Sequence, residues 1–188
     1  PLSMVTGFRR ENLALSVRLC SSFGEKLTEL ERLVRKCETG TIVIYGATRR
    51  TVEEVASWLG QTHPSVGYYH AGLSDDERRL VHDDFRQGQL RILVATNAFG
   101  MGIDKSDVRL VVHIDIPGSI EAYYQEAGRA GRDGLPAACV LLFHERDLAT
   151  QEYFIQQAAK DPASGERAAR MRTLLREMLA YVSVRTCR

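Results

Sequence analysis

The feature that most constrains this chain is a repeated alternation of short β-branched runs with amphipathic helical segments. TIVIYGA (41–47), opened by Gly40, leads into TVEEVASWLG, where Val52, Val55, Ala56 and Leu59 recur at helical spacing. The alternation returns in SVGYYHAG with SDDERRLVHDDFRQG, in RILVATN, in RLVVHIDIP with SIEAYYQEAGR, and in AACVLLFH with ERDLATQEYFIQQAAK. Short apolar strands separated by helices assemble as a parallel sheet covered by helices on both faces. The loops at the carboxyl ends of those strands are then the expected functional edge. KDPASGE (160–166) interrupts the helical pattern with Pro162, Ser164 and Gly165, and RAARMRTLLREMLAYV reads as a further amphipathic helix. The expected organisation is a main domain over 1–158 and the start of a truncated helical extension over 159–188.

Composition narrows the function classes. At 188 residues, 44% hydrophobic and 26% charged, the chain can bury an ordinary core. No apolar run approaches the roughly 20 residues of a membrane helix, and PLSMVTGFRRENL lacks the apolar stretch of a secretory signal. The expectation is an intracellular protein with no membrane partner, in the cytoplasm or nucleoid of a bacterium or the nucleus of a eukaryote. Net charge is +1, so nucleic-acid binding must rest on local patches rather than on overall charge. Cys20, Cys37, Cys139 and Cys187 lie far apart with no CxxC pair, which predicts free, mostly buried thiols rather than a zinc or redox motif.

The sharpest local signal is SIEAYYQEAGRAGRDG (119–134). If the helix that begins near Ser119 continues, Gln125, Arg129 and Arg132 share one face, at i, i+4 and a further i+3. Gly128, Gly131 and Gly134 clear space beside them for a phosphate-bearing ligand or another backbone. Two converging guanidinium groups call for an anion between them, and a triphosphate is a natural candidate: an arginine aimed at a transferring phosphoryl group contributes about 10³ to 10⁵ in rate. Taken alone, the segment is more plainly a solvated arginine-rich helix end.

In ILVATNAFGMGIDKSDVRLVVH (92–113) a strand ends at Ala95 or Thr96, and Gly100 and Gly102 permit a turn that exposes backbone amides. Thr96 supplies a hydroxyl and Asp104 a carboxylate, a set suited to phosphate oxygens and a ribose hydroxyl, although a plain connection between strand and helix has the same appearance. At Pro117, Gly118 and Ser119 a strand gives way to a helix start, which either attracts an anion such as DNA phosphate or is simply capped by Ser119. Thr48, Arg49 and Arg50 follow another strand on the same edge, as phosphate ligands or as solvated residues. DDER (75–78) begins a helix, so charge complementarity with the helix dipole explains it better than a metal does. HERD (144–147) lacks the second histidine of a zinc protease helix, and no Gly-Lys dipeptide exists, so a Walker A loop is absent.

In order along the chain, these strings resemble the second RecA-like lobe of superfamily 2 helicases of the RecQ family. IVIYGATRR resembles motif IV, YYHAGLSDDER the segment after it, ILVATNAFGMGIDKSDVR motif V and YYQEAGRAGRDG motif VI; GFRRENL resembles the family's approach to this lobe. Gly46 stands where the family usually has cysteine, Thr48 where serine is common, and Ser106 where proline is usual. AFGMGID separates RecQ-like chains from RNA helicases.

The resemblance implies a RecA-like α/β fold and an ATP-dependent 3′–5′ DNA helicase of which this chain is the second motor lobe. Arg132 is then the arginine finger, supported by Arg129 and Gln125; Gly102, Asp104, Arg129 and Arg132 face the nucleotide. Thr48, Arg49, Thr96 and Ser119 belong to the path of single-stranded or forked DNA. ATP and Mg2+ would be held chiefly by the missing first lobe, and this chain alone is expected to bind no cofactor and turn over no ATP. Cys187 resembles the first ligand of the family's four-cysteine zinc module, whose remainder lies beyond this sequence. The competing expectation is a stand-alone helicase-like module that binds nucleic acid or a partner without ATPase activity.

Overall fold

The computed structural model describes residues 10–99, 105–160 and 165–184. Six parallel strands form one sheet: β1 (Leu13–Leu19), β2 (Thr41–Tyr45), β3 (Val66–Tyr69), β4 (Ile92–Ala95), β5 (Val108–His113) and β6 (Ala137–Phe143), in the spatial order β1-β6-β5-β2-β4-β3. The connecting helices are α1 (Phe23–Lys36), α2 (Arg49–Gly60), α3 (Asp75–Gln87), α4 (Ile120–Ala127), α5 (Asp147–Ala159) and α6 (Gly165–Ser183). The α/β sandwich expected from the alternation is therefore present. β1 and α1 are additions to it: LALSVRL mixes exposed with half-buried positions because it is an edge strand, paired only with β6.

Strand periodicity of two divides the apolar residues between the two faces. Ile42, Ile44, Val94, Val112 and Val140 pack under Leu30 and Leu33 of α1 and Val52, Val55, Ala56 and Leu59 of α2. Val43, Tyr45, Leu93, Val111 and Cys139 face the opposite way, toward Phe85 of α3 and Ala127 of α4. Each fully buried Val, Leu or Ile contributes about 1.5–3 kcal/mol, and β2 is buried at all five positions, so the register of the central strands is strongly fixed.

A third cluster joins Leu141 and Phe143 of β6 and Tyr123 of α4 to Ile155 of α5 and to Ala168, Leu175, Met178 and Val182 of α6. The helix beyond residue 164 thus buries its apolar stripe on the sheet domain itself. The acidic first turn of α3 is a helix start: Ser74 and Glu77 form a reciprocal capping box.

Candidate nucleotide and nucleic-acid interface

β5, β2 and β4 are neighbours in the sheet, so the loops leaving their carboxyl ends converge. Thr48 follows β2 and caps α2, its hydroxyl oxygen accepting from the Thr51 amide at 3.0 Å and lying 2.9 Å from the Thr51 hydroxyl. Ser119 follows β5 and caps α4, accepting from the Ala122 amide at 3.0 Å. Capping uses one lone pair of each hydroxyl, and the Ser119 O–H is still oriented by rotation alone. Thr96, after β4, is buried; its amide donates to Tyr69 O at 3.1 Å and its carbonyl accepts from Phe99 at 3.0 Å. Arg49 is exposed and crosses Gly72, where a Cβ would come within 2.8 Å of Nη1. Thr48, Arg49, Thr96 and Ser119 therefore all follow strands at the carboxyl edge, where a cavity of about 490 Å³ is lined in part by Ala47, Asn97, Asp115, Ser119, Glu126 and Gln151. Gly102 and Asp104 lie outside the described residues.

Gln125, Arg129 and Arg132 do not share one continuous helix. α4 ends at Ala127, with Gly128 as its cap, and the chain turns through Gly131 at φ 53°, a left-handed conformation that favours glycine. A Cβ on Gly131 would meet Asn12 Nδ2 at 2.5 Å and Leu135 O at 2.7 Å. The turn is tied down from three directions. Its Gly131 amide donates to Val108 O at 2.8 Å; Arg10 donates to the carbonyls of Gly128, at 2.9 Å, and Gly131; Asn12 Nδ2 donates to Gly131 O at 2.8 Å and Leu135 O at 2.9 Å. Arg109 pairs with Asp133 beside it. Gln125 and Arg132 are exposed and Arg129 is half-buried.

The charges of Arg129 and Arg132 both bear on the Tyr45 phenol. Burial pushes the Tyr45 phenol well above its ordinary value; Arg129 draws it down, Glu126 raises it, and Arg132 also draws it down. Tyr45 stacks on His113, with ring centroids 5.3 Å apart, and His113 Nε2 lies 2.8 Å from Glu126 Oε2. The aromatic row continues from His113 to Tyr123 at 4.9 Å and from Tyr123 to Tyr181 of α6 at 5.5 Å. The surroundings of the two arginines thus extend through packed rings into the last helix.

Among the described residues, no group of three or more His, Cys, Asp or Glu is placed to hold a metal ion, and no helix is long and apolar enough to cross a membrane. Cys20 and Cys37 are half-buried free thiols; Cys139, buried in β6, has its thiol pushed up to about 12 by desolvation. Cys187 lies outside the described residues.

The residues that fix these loops, Arg10, Asn12, Tyr45, His113 and Glu126, carry no local motif, although the glycine spacing at 128–134 signals the turn. An all-parallel six-stranded sheet with helices packed on both faces is a RecA-like fold. The helicase conserved C-terminal domain model matches residues 25–134. The chain is 40% identical over 185 residues to the ATP-dependent DNA helicase RecQ of Bacillus subtilis, covering 98% of this chain and 30% of that protein. It is 38% identical over 181 residues to a mimivirus protein named as an ATP-dependent RNA helicase, covering 96% of this chain and 32% of that one. It is 42% identical over 156 residues to the mouse bifunctional exonuclease/helicase WRN, covering 80% of this chain and 11% of that protein. Among solved structures, the C-terminal domain of the DEAD-box protein Dbp5 aligns with a TM-score of 0.60 at 30% identity, over 74% of this chain and 83% of that one. S. cerevisiae Dbp5 bound to RNA and ADP BeF3 aligns at 0.63 and 26% identity, over 86% of this chain and 44% of that one. The chain belongs to the helicase conserved C-terminal domain family and, within it, to the RecQ-type helicases, and it spans a third or less of the length of these relatives.

Proposed function

We propose that this lobe is the second half of an ATP-driven 3′–5′ DNA helicase motor, in which Arg132 is the arginine finger and the carboxyl-edge loops grip single-stranded DNA. The observation that carries the reading is a half-buried Arg129 and an exposed Arg132 on one turn that Arg10 and Asn12 tether. Arg129 is half-buried, whereas Arg132 is exposed on the same turn. That arrangement suits a division of labour: Arg129 with Gln125 shapes the surface, and Arg132 reaches the phosphoryl group as its charge develops.

ATP and its Mg2+ would be held mainly by a first lobe, since this sequence has no Walker A loop; the purified chain alone is expected to show no turnover. On the carboxyl edge, the exposed Arg49 guanidinium and the α4 amino terminus supply cationic and amide donors to phosphates. Closure of the two lobes on nucleotide and their reopening would then move one DNA grip past the other.

In the full-length helicase, Arg132→Ala should lower ATP hydrolysis by about 10³-fold or more while leaving the affinities for ATP and DNA near wild type, because a finger acts on the transition state. Equal losses of ATP affinity and turnover would make Arg132 a ground-state ligand and overturn the assignment. RNA is a second reading of the substrate, favoured by the name of the mimivirus relative. Comparing stimulation of the same ATPase by single-stranded DNA and by RNA decides between them.

A further inference from the structure

Lys26 lies on α1, on a face that otherwise packs into the core, and is 1% exposed. Lysine is almost never this deeply buried unless it is paired, because removing its ammonium from water costs several kcal/mol. Its partners come from the carboxyl ends of two strands. Nζ donates to Ile114 O at 2.5 Å, at the end of β5, and to both carboxylate oxygens of Asp147, at 2.6 and 2.7 Å, at the start of α5 after β6. A second carboxylate, Asp115, stands 3.9 Å away.

These partners are the anchor points of the loops on the carboxyl edge. Asp115 Oδ2 accepts from the Ala47 amide at 2.8 Å, so the residue before Thr48 is tied to the loop after β5. Asp147 also accepts from the His144 amide at 3.2 Å. One turn further along α5, Gln151 donates to Ile116 O at 2.7 Å, and its Oε1 lies where a Cβ on Gly118 would be only 3.3 Å away. The segment 114–118 is thus held by α1 on one side and α5 on the other, with the β2–α2 loop attached to it. An apolar cluster of the same volume would stabilise the core as well or better, so stability is a weak reason for an ion pair here.

We propose that Lys26 is a positioning residue for nucleic acid: through Asp115, Asp147 and Ile114 its buried ammonium fixes the separation between the loop carrying Thr48 and Arg49 and the loop carrying Ser119. The proposal rests on the reading of those loops as the DNA grip. Lys26 also offsets one of two carboxylates that lie beneath that grip. Burial pushes the Asp147 carboxyl above its ordinary range, and Lys26 draws it part of the way back.

The test is equilibrium binding of a single-stranded oligonucleotide by the full-length helicase across a salt series. A phosphate ligand and a positioning residue differ in slope: losing one phosphate contact lowers the dependence of log K on log[salt] by about 0.7, whereas losing a positioning residue weakens binding with the slope intact. Arg49→Ala should lower both affinity and slope. Lys26→Met/Asp147→Leu replaces the pair by apolar volume and should keep the wild-type melting temperature or exceed it, yet bind about tenfold more weakly with an unchanged slope. Asp115→Ala, which leaves the Lys26–Asp147 pair in place, should show the same weakened binding and unchanged slope, and it serves if the double variant does not fold. Wild-type affinity in the folded double variant or in Asp115→Ala, with Arg49→Ala impaired, overturns the positioning role alone. Wild-type affinity and slope in Arg49→Ala overturn the DNA grip itself and the proposal with it.

Discussion

The two candidate surfaces of this lobe are held in place by different physics. On the carboxyl edge, the loops bearing Thr48 and Ser119 are tied through a buried ion pair and a half-buried carboxylate: Lys26, Asp147 and Asp115. The arginine turn after α4 is held by side-chain donors, Arg10 and Asn12, that reach backbone carbonyls, and by a glycine in the left-handed region. Buried charge is unforgiving, since removal of one partner leaves the other stranded in low dielectric. Carbonyl tethers are individually modest, about 0.5–1.5 kcal/mol each, or up to about 3 for a charged donor, and a turn loses them one at a time. The comparison teaches that one edge of the lobe is fixed by buried charge and the other by hydrogen bonds to backbone carbonyls.

The largest expected effect breaks the first fixing. Lys26→Ala should destabilise the chain by about 3–5 kcal/mol in urea titration, because Asp147 is left buried without its ammonium. Hydrogen exchange sharpens the point: in Lys26→Ala the Ala47 amide, bound to Asp115, should lose protection by local opening, while the Gly131 amide, bound to Val108 O, should lose no more than global destabilisation removes. Equal loss of protection at both amides would mean that the two regions share one cooperative support.

An intermediate effect breaks the second. Gly131→Ala places a Cβ at positive φ, 2.7 Å from Leu135 O, and should cost about 1–3 kcal/mol. The consequence is confined to the turn: Arg129 and Arg132 shift, and ATP turnover in the full-length helicase falls. DNA affinity, set at the carboxyl edge, should remain near wild type. A parallel loss of DNA affinity would merge the two surfaces into one.

What was legible in the sequence follows from the range of the interactions. Period-two and period-3.6 patterns are local, so the parallel α/β sheet could be read from β2 to α5, and Thr48 and Ser119 could be placed at helix starts. β1 and α1 were not read, although LALSVRL alternates apolar with small or polar residues and FGEKLTELERLVRK carries a helical period. The continuous helix through Arg132 was a wrong extrapolation of a local period: Gly128 ends α4 and Gly131 reverses the chain toward β6. The fixings could not be seen at all. Lys26 meets Asp147 from 121 positions away, and Arg10 meets Gly128 from 118, and no spacing rule in one sequence spans such separations.

The smallest effect lies at the exposed start of α3, next to the edge strand β3, and it sets the scale against which the two fixings are judged. Ser74 caps α3 and exchanges hydrogen bonds with Glu77, whose carboxylate accepts from the Ser74 amide at 2.8 Å and hydroxyl at 2.7 Å. Those bonds, the hydroxyl's first and the amide's second, hold the Glu77 carboxyl below the usual carboxylate range. A carboxyl whose folded value is depressed adds stability above its unfolded value, about 4.3, and that stability is lost as pH falls through the folded value. Ser74→Ala should therefore cost about 0.5–2 kcal/mol at neutral pH. Below about pH 4 the difference from wild type should shrink, because Glu77 is protonating in both proteins. What survives in acid is the share of the bond from the Glu77 amide to the Ser74 hydroxyl, 3.3 Å long. Thermal melts of the two proteins from pH 7 to pH 3 measure this directly. A penalty that stayed constant across the range would show that the hydroxyl acts only by accepting from the Glu77 amide, and one as large as that of Lys26→Ala would remove the contrast between buried charge and surface capping on which the comparison of the two regions depends.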